Sequence, residues 1–109
     1  MIAALLAGVA ASTAFPTAVG VSAREFRFGL YRETVPPGQV ALNVHNYGED
    51  DHDVVVKGPR GFLSAVSGDI DPGATLRFEL TLKRKGRYTL LCTKPGHLDQ
   101  GMKATLRVR

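Results

Sequence analysis

The sequence predicts an all-β chain folded as a two-sheet Greek-key β-sandwich of six to eight strands. Three observations support this fold class. Apolar and polar side chains alternate along several segments with a period of two, which places alternate residues on opposite faces of a strand. Twelve glycines and six prolines divide the chain into short elements joined by turns. A length of 109 residues allows one domain with one modest core.

The chain opens with an uncharged, apolar leader. Residues 1–23 carry no charge, and the block IAALLAGVAA has the length of the apolar region of a signal peptide, although no basic residues precede it. Small residues that suit cleavage follow, after Ala14 or Ala18. We predict a leader over residues 1–18, with its boundary between 14 and 23, and a folded domain over residues 19–109. A retained membrane anchor is the alternative, but Pro16 interrupts the apolar run.

Three strands are predicted in the first half of the folded domain. Two are the segments REFRFGLY at 24–31 and VALNVHN at 40–46, the latter with His45 on its outer face. The third, HDVVVKG at 52–58, places His52 on the same face as two valines, whereas Asp53 faces away. His52 is therefore the inward histidine. Residues 58–70 lack a sustained period, and we expect a loop with a short helical turn at 63–66.

Three further strands are predicted in the second half, separated by the turn Asp71-Pro72-Gly73, by a turn at Gly86 and by a longer loop. Each alternates apolar and polar residues, so one face of each strand is expected to point into the core. The inward residues are Leu76, Phe78, Leu80 and Leu82 in the first strand, Tyr88, Leu90 and Cys92 in the second, and Met102, Ala104, Leu106 and Val108 in the third.

The candidate functional residues lie around the last loop, in the spacing Cys-x4-His-x4-Met. The chain's only cysteine, Cys92, ends one strand, His97 lies on the loop, and Met102 begins the next strand. Adding His52 gives two imidazoles, one thiolate and one thioether. This is the donor set of a mononuclear blue-copper site, in which two histidines and a cysteine form a plane and methionine is a weak axial ligand.

Two segments resemble the cupredoxins, the plastocyanin and azurin type of copper protein. YTLLCTKPGHLDQGMKATLRV is similar to their C-terminal signature, and NYGEDDHDVVV to the segment that carries their first histidine. The resemblance covers the chain after the leader and is most specific over residues 88–108. It implies a cupredoxin-like fold and one mononuclear copper ion. It also implies His52, Cys92 and His97 as equatorial ligands and Met102 as the axial ligand.

The sequence departs from the cupredoxin pattern next to the first histidine. Family members usually carry Asn or Ser there, which ties the two ligand loops together, whereas this chain has Asp53. We expect its carboxylate to accept backbone N–H groups and its charge to favour Cu(II), which would lower the reduction potential. Gly96 stands where a second cysteine would be needed for the dinuclear copper site of oxidase subunits, so that site is not supported.

These residues also allow other interpretations. Each residue alone could be an ordinary core or loop residue. Zinc is an alternative metal, but it is bound in proteins by Cys, His, Asp and Glu and not by a thioether. A cysteine nucleophile paired with His97 would need a substrate cleft and oxyanion donors, for which the sequence gives no sign, so we do not expect an enzyme.

The expected function is one-electron transfer between transient protein redox partners. Copper would alternate between Cu(II) and Cu(I) as it receives and passes on the electron. The alternatives are an exported copper carrier or buffer, and an accessory subunit of a larger oxidoreductase. A net charge of +4, with Lys94 and Lys103 near the site, suggests partners with an acidic surface but falls short of a nucleic-acid-binding face. Residues around His97 could form an apolar docking patch: Pro95, Gly96, Leu98 and Leu63.

The leader indicates an exported protein, periplasmic or otherwise extracytoplasmic. Contact with a membrane is expected only if the leader is retained as an anchor. Nothing in the sequence requires more than a monomer.

Overall fold

The computed structural model describes residues 15–109, which form a sandwich of two four-stranded sheets. The predicted fold class is confirmed. The eight strands are β1 (Thr17–Arg24), β2 (Arg27–Leu30), β3 (Thr34–Val35), β4 (Gly38–Asn46), β5 (Val55–Lys57), β6 (Thr75–Leu82), β7 (Gly86–Leu91) and β8 (Lys103–Val108). Within residues 15–109, no helix is long and apolar enough to cross a membrane. Most of the predicted leader lies outside the described residues.

The strand order shows how the chain crosses between the two sheets. The first sheet has the order β2-β1-β4-β6, in which β1 runs parallel to β4 and antiparallel to β2. The second sheet has the order β3-β8-β7-β5, with β3 parallel to β8. Strands that are adjacent in a sheet are thus often distant in sequence. This arrangement brings the loop after β7 to the same end of the sandwich as the segment before β5.

The core lies between the sheets and follows the alternation predicted from the sequence. In β4, Val40, Leu42 and Val44 are fully buried, and they lie opposite Leu80, Phe78 and Leu76 of β6. The inward face of the second sheet is also buried. Its fully or almost fully buried residues are Val54, Val56, Tyr88, Leu90, Cys92, Met102, Leu106 and Val108. Cys92 and Met102 therefore both face inward, as predicted.

The strand β1 was not predicted. Its residues TAVGVSAR are small and almost uncharged, and they lie across the boundary predicted between the leader and the folded domain. In the structure β1 lies between β2 and β4 and bonds to both, and Val19, Val21 and Ala23 are buried. The predicted strand over 24–31 was wrong in its bounds. β1 ends at Arg24, and the chain turns through Glu25 before β2 begins at Arg27.

The predicted helical turn at 63–66 was also wrong. The only helical turn between Gly58 and Ile70 is a 3-10 turn at Pro59–Gly61. The chain then runs back along β5, where the backbone N–H of Ser64 donates to Val56 O and that of Ser67 to Val54 O. The two serine hydroxyls accept the N–H groups of Val56 and Val54, each at 2.9 Å. These serine bonds take the place of a regular strand or helix.

Candidate metal centre

Three of the four predicted metal ligands converge at one end of the sandwich. The sulfur of Cys92 lies 3.4 Å from Nδ1 of His97 and 3.9 Å from Nδ1 of His52. One donor atom from each of the three residues lies within 4.8 Å of the others. His52 and Cys92 are at most 1% exposed, and His97 is 8% exposed. His45, the third histidine, lies on the outer face of β4, where it bonds to the hydroxyl of Thr75.

The loop between β7 and β8 places Cys92, His97 and Met102 close together. Cys92 follows the last residue of β7, and its backbone N–H donates to Met102 O at 3.3 Å. Met102 N–H in turn donates to His97 O at 3.1 Å. Gly96, just before His97, has a φ of 78°, a conformation that glycine adopts without steric cost. Met102 is fully buried at the site, although its role as a ligand stays a prediction.

The segment before β5 carries His52 into the site. Backbone hydrogen bonds in both directions join His52 to Ile70. Asn46, which is fully buried, fixes the loop that precedes His52. Its side-chain amide donates to Asp50 O and Ile70 O, and its carbonyl oxygen accepts the N–H of Gly48, each at 2.8 Å. A buried amide with all these partners satisfied holds the backbone in one conformation.

Asp53 ties the two ligand segments together. One carboxylate oxygen accepts the backbone N–H of Thr93 at 2.7 Å, and the other accepts its hydroxyl at 2.6 Å. Asp53 is 4% exposed, so these bonds lie in a largely dry environment. The expectation that the carboxylate would accept a backbone N–H is confirmed. The residue after His52 is therefore bonded to the residue after Cys92, which limits the separation of the two donors.

The spacing of the donor atoms fits a shared metal ion. A metal–sulfur bond of about 2.3 Å and a metal–nitrogen bond of about 2.0 Å, meeting at about 110–120°, separate sulfur and nitrogen by about 3.5–3.7 Å. The two observed Sγ–Nδ1 distances are 3.4 and 3.9 Å. The three side chains can therefore bind one ion with little movement. A thiolate and two imidazoles suit copper or zinc, and a buried thioether beside them favours copper.

The burial of Cys92 opposes ionisation of its thiol in the metal-free protein. Burial raises the pKa of Cys92 above its ordinary value of 9.0, although the backbone N–H groups of Asp53 and Lys94 partly offset this effect. A metal binds the thiolate and not the thiol. Metal binding near neutral pH must therefore displace a proton from Cys92, and the affinity should rise as the pH rises.

The ring of His97 lies at the boundary between the site and the surface. Phe26 packs edge-on against it, with ring centroids 5.0 Å apart. Nε2 of His97, on the far side of the ring from Nδ1, lies 3.5 Å from the carboxylate of Asp50. Pro95, Gly96, Leu98 and Leu63, the residues of the expected apolar patch, are all exposed.

Contacts with candidate ligands that were not predicted from the sequence include that of Phe26 with His97 and a polar contact of Glu25 with His52. Glu25 lies in the turn between β1 and β2, and its carboxylate is 2.7 Å from Nε2 of His52. It is 27 positions before His52, in a segment where β1 was not recognised. No local pattern in the sequence could have identified it. The pKa of Glu25 lies below its ordinary value of 4.5, chiefly because the backbone N–H of Glu49 donates to it, with further bonds from His52 and Asp50.

Several solved structures have a similar fold, among them auracyanins and rusticyanin. Auracyanin from the photosynthetic bacterium Roseiflexus castenholzii has a TM-score of 0.73 and 22% identity, over 88% of this chain and 99% of that one. Auracyanin A from Chloroflexus aurantiacus, described as a blue copper protein, has a TM-score of 0.72 and 21% identity, over 87% and 100%. Reduced rusticyanin has a TM-score of 0.67 and 19% identity, over 84% and 76%.

No protein-family model and no curated protein sequence matches the chain. At these identities the structural similarity establishes the fold, and it confirms the cupredoxin-like sandwich that the resemblance implied. The metal is therefore inferred from the donor atoms of this chain and not from the similarity of the fold.

Proposed function

We propose that this chain is a type 1 copper protein that carries single electrons between redox partners. One observation carries the proposal: two imidazoles and the chain's only thiol converge within 4.8 Å, next to a buried methionine, although one imidazole comes from a distant segment. In this proposal His52, Cys92 and His97 would hold one copper ion, and Met102 would be a further, weaker ligand. Copper supplies the chemistry, since it can be bound as Cu(II) or as Cu(I).

The surrounding hydrogen bonds suit fast electron transfer. The Asn46 bonds fix the loop before His52, and the Asp53–Thr93 bonds join the two ligand segments. Donors held this firmly cannot rearrange much when the charge on the ion changes, so the barrier to transfer stays low. The ring of His97 reaches the surface and would be the path by which the electron leaves. The role needs no substrate cleft, in keeping with a protein that is not an enzyme.

The visible spectrum and the redox kinetics of the copper-loaded protein test this proposal. We expect an intense visible band from the Cys92 thiolate in the oxidised form, and loss of that band on reduction. Rapid, reversible cycling would separate an electron carrier from a copper carrier or buffer, which must release its metal to an acceptor instead. A colourless Cu(II) complex would contradict the proposed donor set.

Replacement of the axial ligand gives a second test. We expect Met102→Leu to keep the visible band, because the thiolate remains, and to raise the reduction potential, because Cu(II) loses a weak donor. The two side chains have similar volumes, so the substitution should cost less than about 1.5 kcal/mol of stability. Voltammetry measures the change, with Leu106→Met, a substitution in the adjoining strand β8, as a control. An unchanged potential would argue against Met102 as a ligand.

The charges around the site bear on the choice of partner. The net charge of the whole chain suggested an acidic partner, but the acidic residues are concentrated near the candidate ligands. Lys94 forms an ion pair with Asp69 at 2.5 Å, so its charge is partly neutralised, while Lys103 is exposed. We propose a redox partner with a cationic surface that docks on the exposed apolar residues beside His97. Apart from Asp69, whose charge pairs with that of Lys94, the exposed acidic residues near the site are Glu49, Asp50, Asp51 and Asp99.

Salt dependence tests the sign of this local charge. We expect the rate of electron transfer with hexaammineruthenium, a small cation, to fall as ionic strength rises from 0.01 to 0.1 M, where the screening length shortens from about 30 to about 10 Å. The rate with ferricyanide, an anion, should rise over the same range. The opposite pair of slopes would favour an acidic partner.

Export of the protein also remains part of the proposal. The apolar leader supports it. Whether the leader is cleaved would follow from the mass of the protein recovered from the extracytoplasmic compartment.

A further inference from the structure

The side chain of Glu25 reaches the buried edge of the candidate ligand His52. The carboxylate lies 2.7 Å from Nε2, the ring nitrogen that faces away from the site, while Nδ1 faces the sulfur of Cys92. A carboxylate accepts hydrogen bonds, so Nε2 carries the proton and Nδ1 is left with a free lone pair directed at the site. His52 is fully buried, and the side chain of Glu25 is 26% exposed.

The position of Glu25 is fixed from several sides. Its two carboxylate oxygens also accept the backbone N–H of Glu49 at 2.8 Å and that of Asp50 at 3.4 Å. Gly48 completes the cradle: a Cβ added there would lie 2.0 Å from the carboxylate oxygen Oε2. Because residue 48 is glycine, the Glu25 carboxylate can lie directly against the backbone at this position. Three backbone positions of one loop thus shape a site for this carboxylate.

We propose that Glu25 is a positioning residue for the metal, which orients His52 and strengthens it as a donor. The proposal rests on the proposed function, and it adds a residue from outside the two ligand segments. A histidine that donates its second N–H to a carboxylate has a fixed ring orientation and tautomer, and it is a more basic ligand. The carboxylate also brings a negative charge near the ion, so it stabilises Cu(II) more than Cu(I).

The tautomer of His52 can be tested without any metal. In the metal-free full chain, nitrogen NMR of the His52 ring should show the proton on Nε2. In Glu25→Ala the carboxylate is lost, and the ring should populate both tautomers or reorient. At a pH where the ring is neutral, a proton on Nδ1 and not on Nε2 in the unsubstituted chain would overturn the proposal. This result does not depend on copper. The inference about Glu25 can therefore fail while the proposed function stands, and the proposed function can fail while the inference about the His52 tautomer stands.

The copper-loaded protein tests the effect on the ion. Glu25→Gln keeps the shape and one acceptor oxygen but removes the charge. We expect the affinity for Cu(II) to fall by about 10- to 100-fold, the usual effect of losing an outer-shell partner, and that for Cu(I) to fall less. Each tenfold difference between the two losses raises the potential by about 59 mV. An unchanged potential would overturn the proposal.

Glu49→Gln is the matched control. It removes the same charge from an exposed side chain in the same loop, and the bond from Glu49 to Glu25 uses the backbone N–H, which the substitution leaves in place. We expect this variant to shift the potential much less, because an exposed charge is screened by solvent. Equal shifts in the two variants would show that general charge, and not contact with His52, is responsible.

Gly48→Ala provides an independent route to the same effect. The added methyl group should displace the flexible end of Glu25 and leave the rest of the loop in place, since the three atoms nearest to it all belong to the carboxylate group of that side chain. We expect it to reproduce the tautomer and potential of Glu25→Ala, and to have no further effect in a Glu25→Ala background. Additive effects in the double variant would contradict a mechanism through Glu25.

Discussion

A Cys92→Ser variant is expected to lose the intense visible band completely while keeping its fold. The band requires a thiolate bonded to copper, and Cys92 is the chain's only cysteine. Serine has nearly the same shape, and its hydroxyl would have two imidazole nitrogens close by as hydrogen-bond partners. The sandwich should therefore fold, with a loss of stability of about 1–2 kcal/mol at most.

The same variant should also bind copper more weakly by over 100-fold, because even outer partners of a metal site contribute about 10- to 100-fold. Visible absorption and competitive copper titration measure the two effects, with circular dichroism to confirm the fold. Thr93→Ser is a suitable control, since it keeps the hydroxyl that donates to Asp53 and leaves the sulfur unchanged. A blue Cys92→Ser protein would mean that the band has another origin, and the proposed site would be wrong.

Removal of β1 is expected to abolish folding. A chain that starts at Arg24 lacks the strand that lies between β2 and β4, together with the buried side chains of Val19, Val21 and Ala23. Each buried valine stabilises a fold by about 1.5–3 kcal/mol, and the backbone partners of two neighbouring strands would be exposed as well. The whole free energy of unfolding of such a domain is about 5–15 kcal/mol.

Three chains that begin at different residues test this expectation and show which leader boundaries are compatible with a stable fold. A chain beginning at Phe15, as after cleavage behind Ala14, keeps all of β1 and should unfold at the same temperature as the full chain. A start at Val19, as after cleavage behind Ala18, removes two residues of β1 that are not buried, Thr17 and Ala18, and should cost little stability. Thermal unfolding followed by circular dichroism distinguishes the three. Cooperative unfolding of the chain that starts at Arg24 would contradict the structural role of β1.

Local sequence patterns determined much of the fold and identified all three residues that converge at the site, His52, Cys92 and His97. Alternation fixed the inward faces of β4, β6, β7 and β8, because a strand with one buried face must repeat every second residue. It therefore placed Cys92 and Met102 on the core side, where the structure has them. The spacing around His97 indicated a ligand loop, since residues a few positions apart on one loop cannot lie far from one another.

Only the tertiary structure decided which distant residues meet. β1 escaped prediction because an internal strand of small apolar residues has no polar alternation and is similar to the end of a leader. Glu25 escaped with it, because its contact with His52 exists only after the turn between β1 and β2 is packed against the loop that carries Gly48. Alternation along the chain specifies which way a side chain faces. Which partner it meets there depends on strand order and register, and these are set by the packing of the whole sandwich.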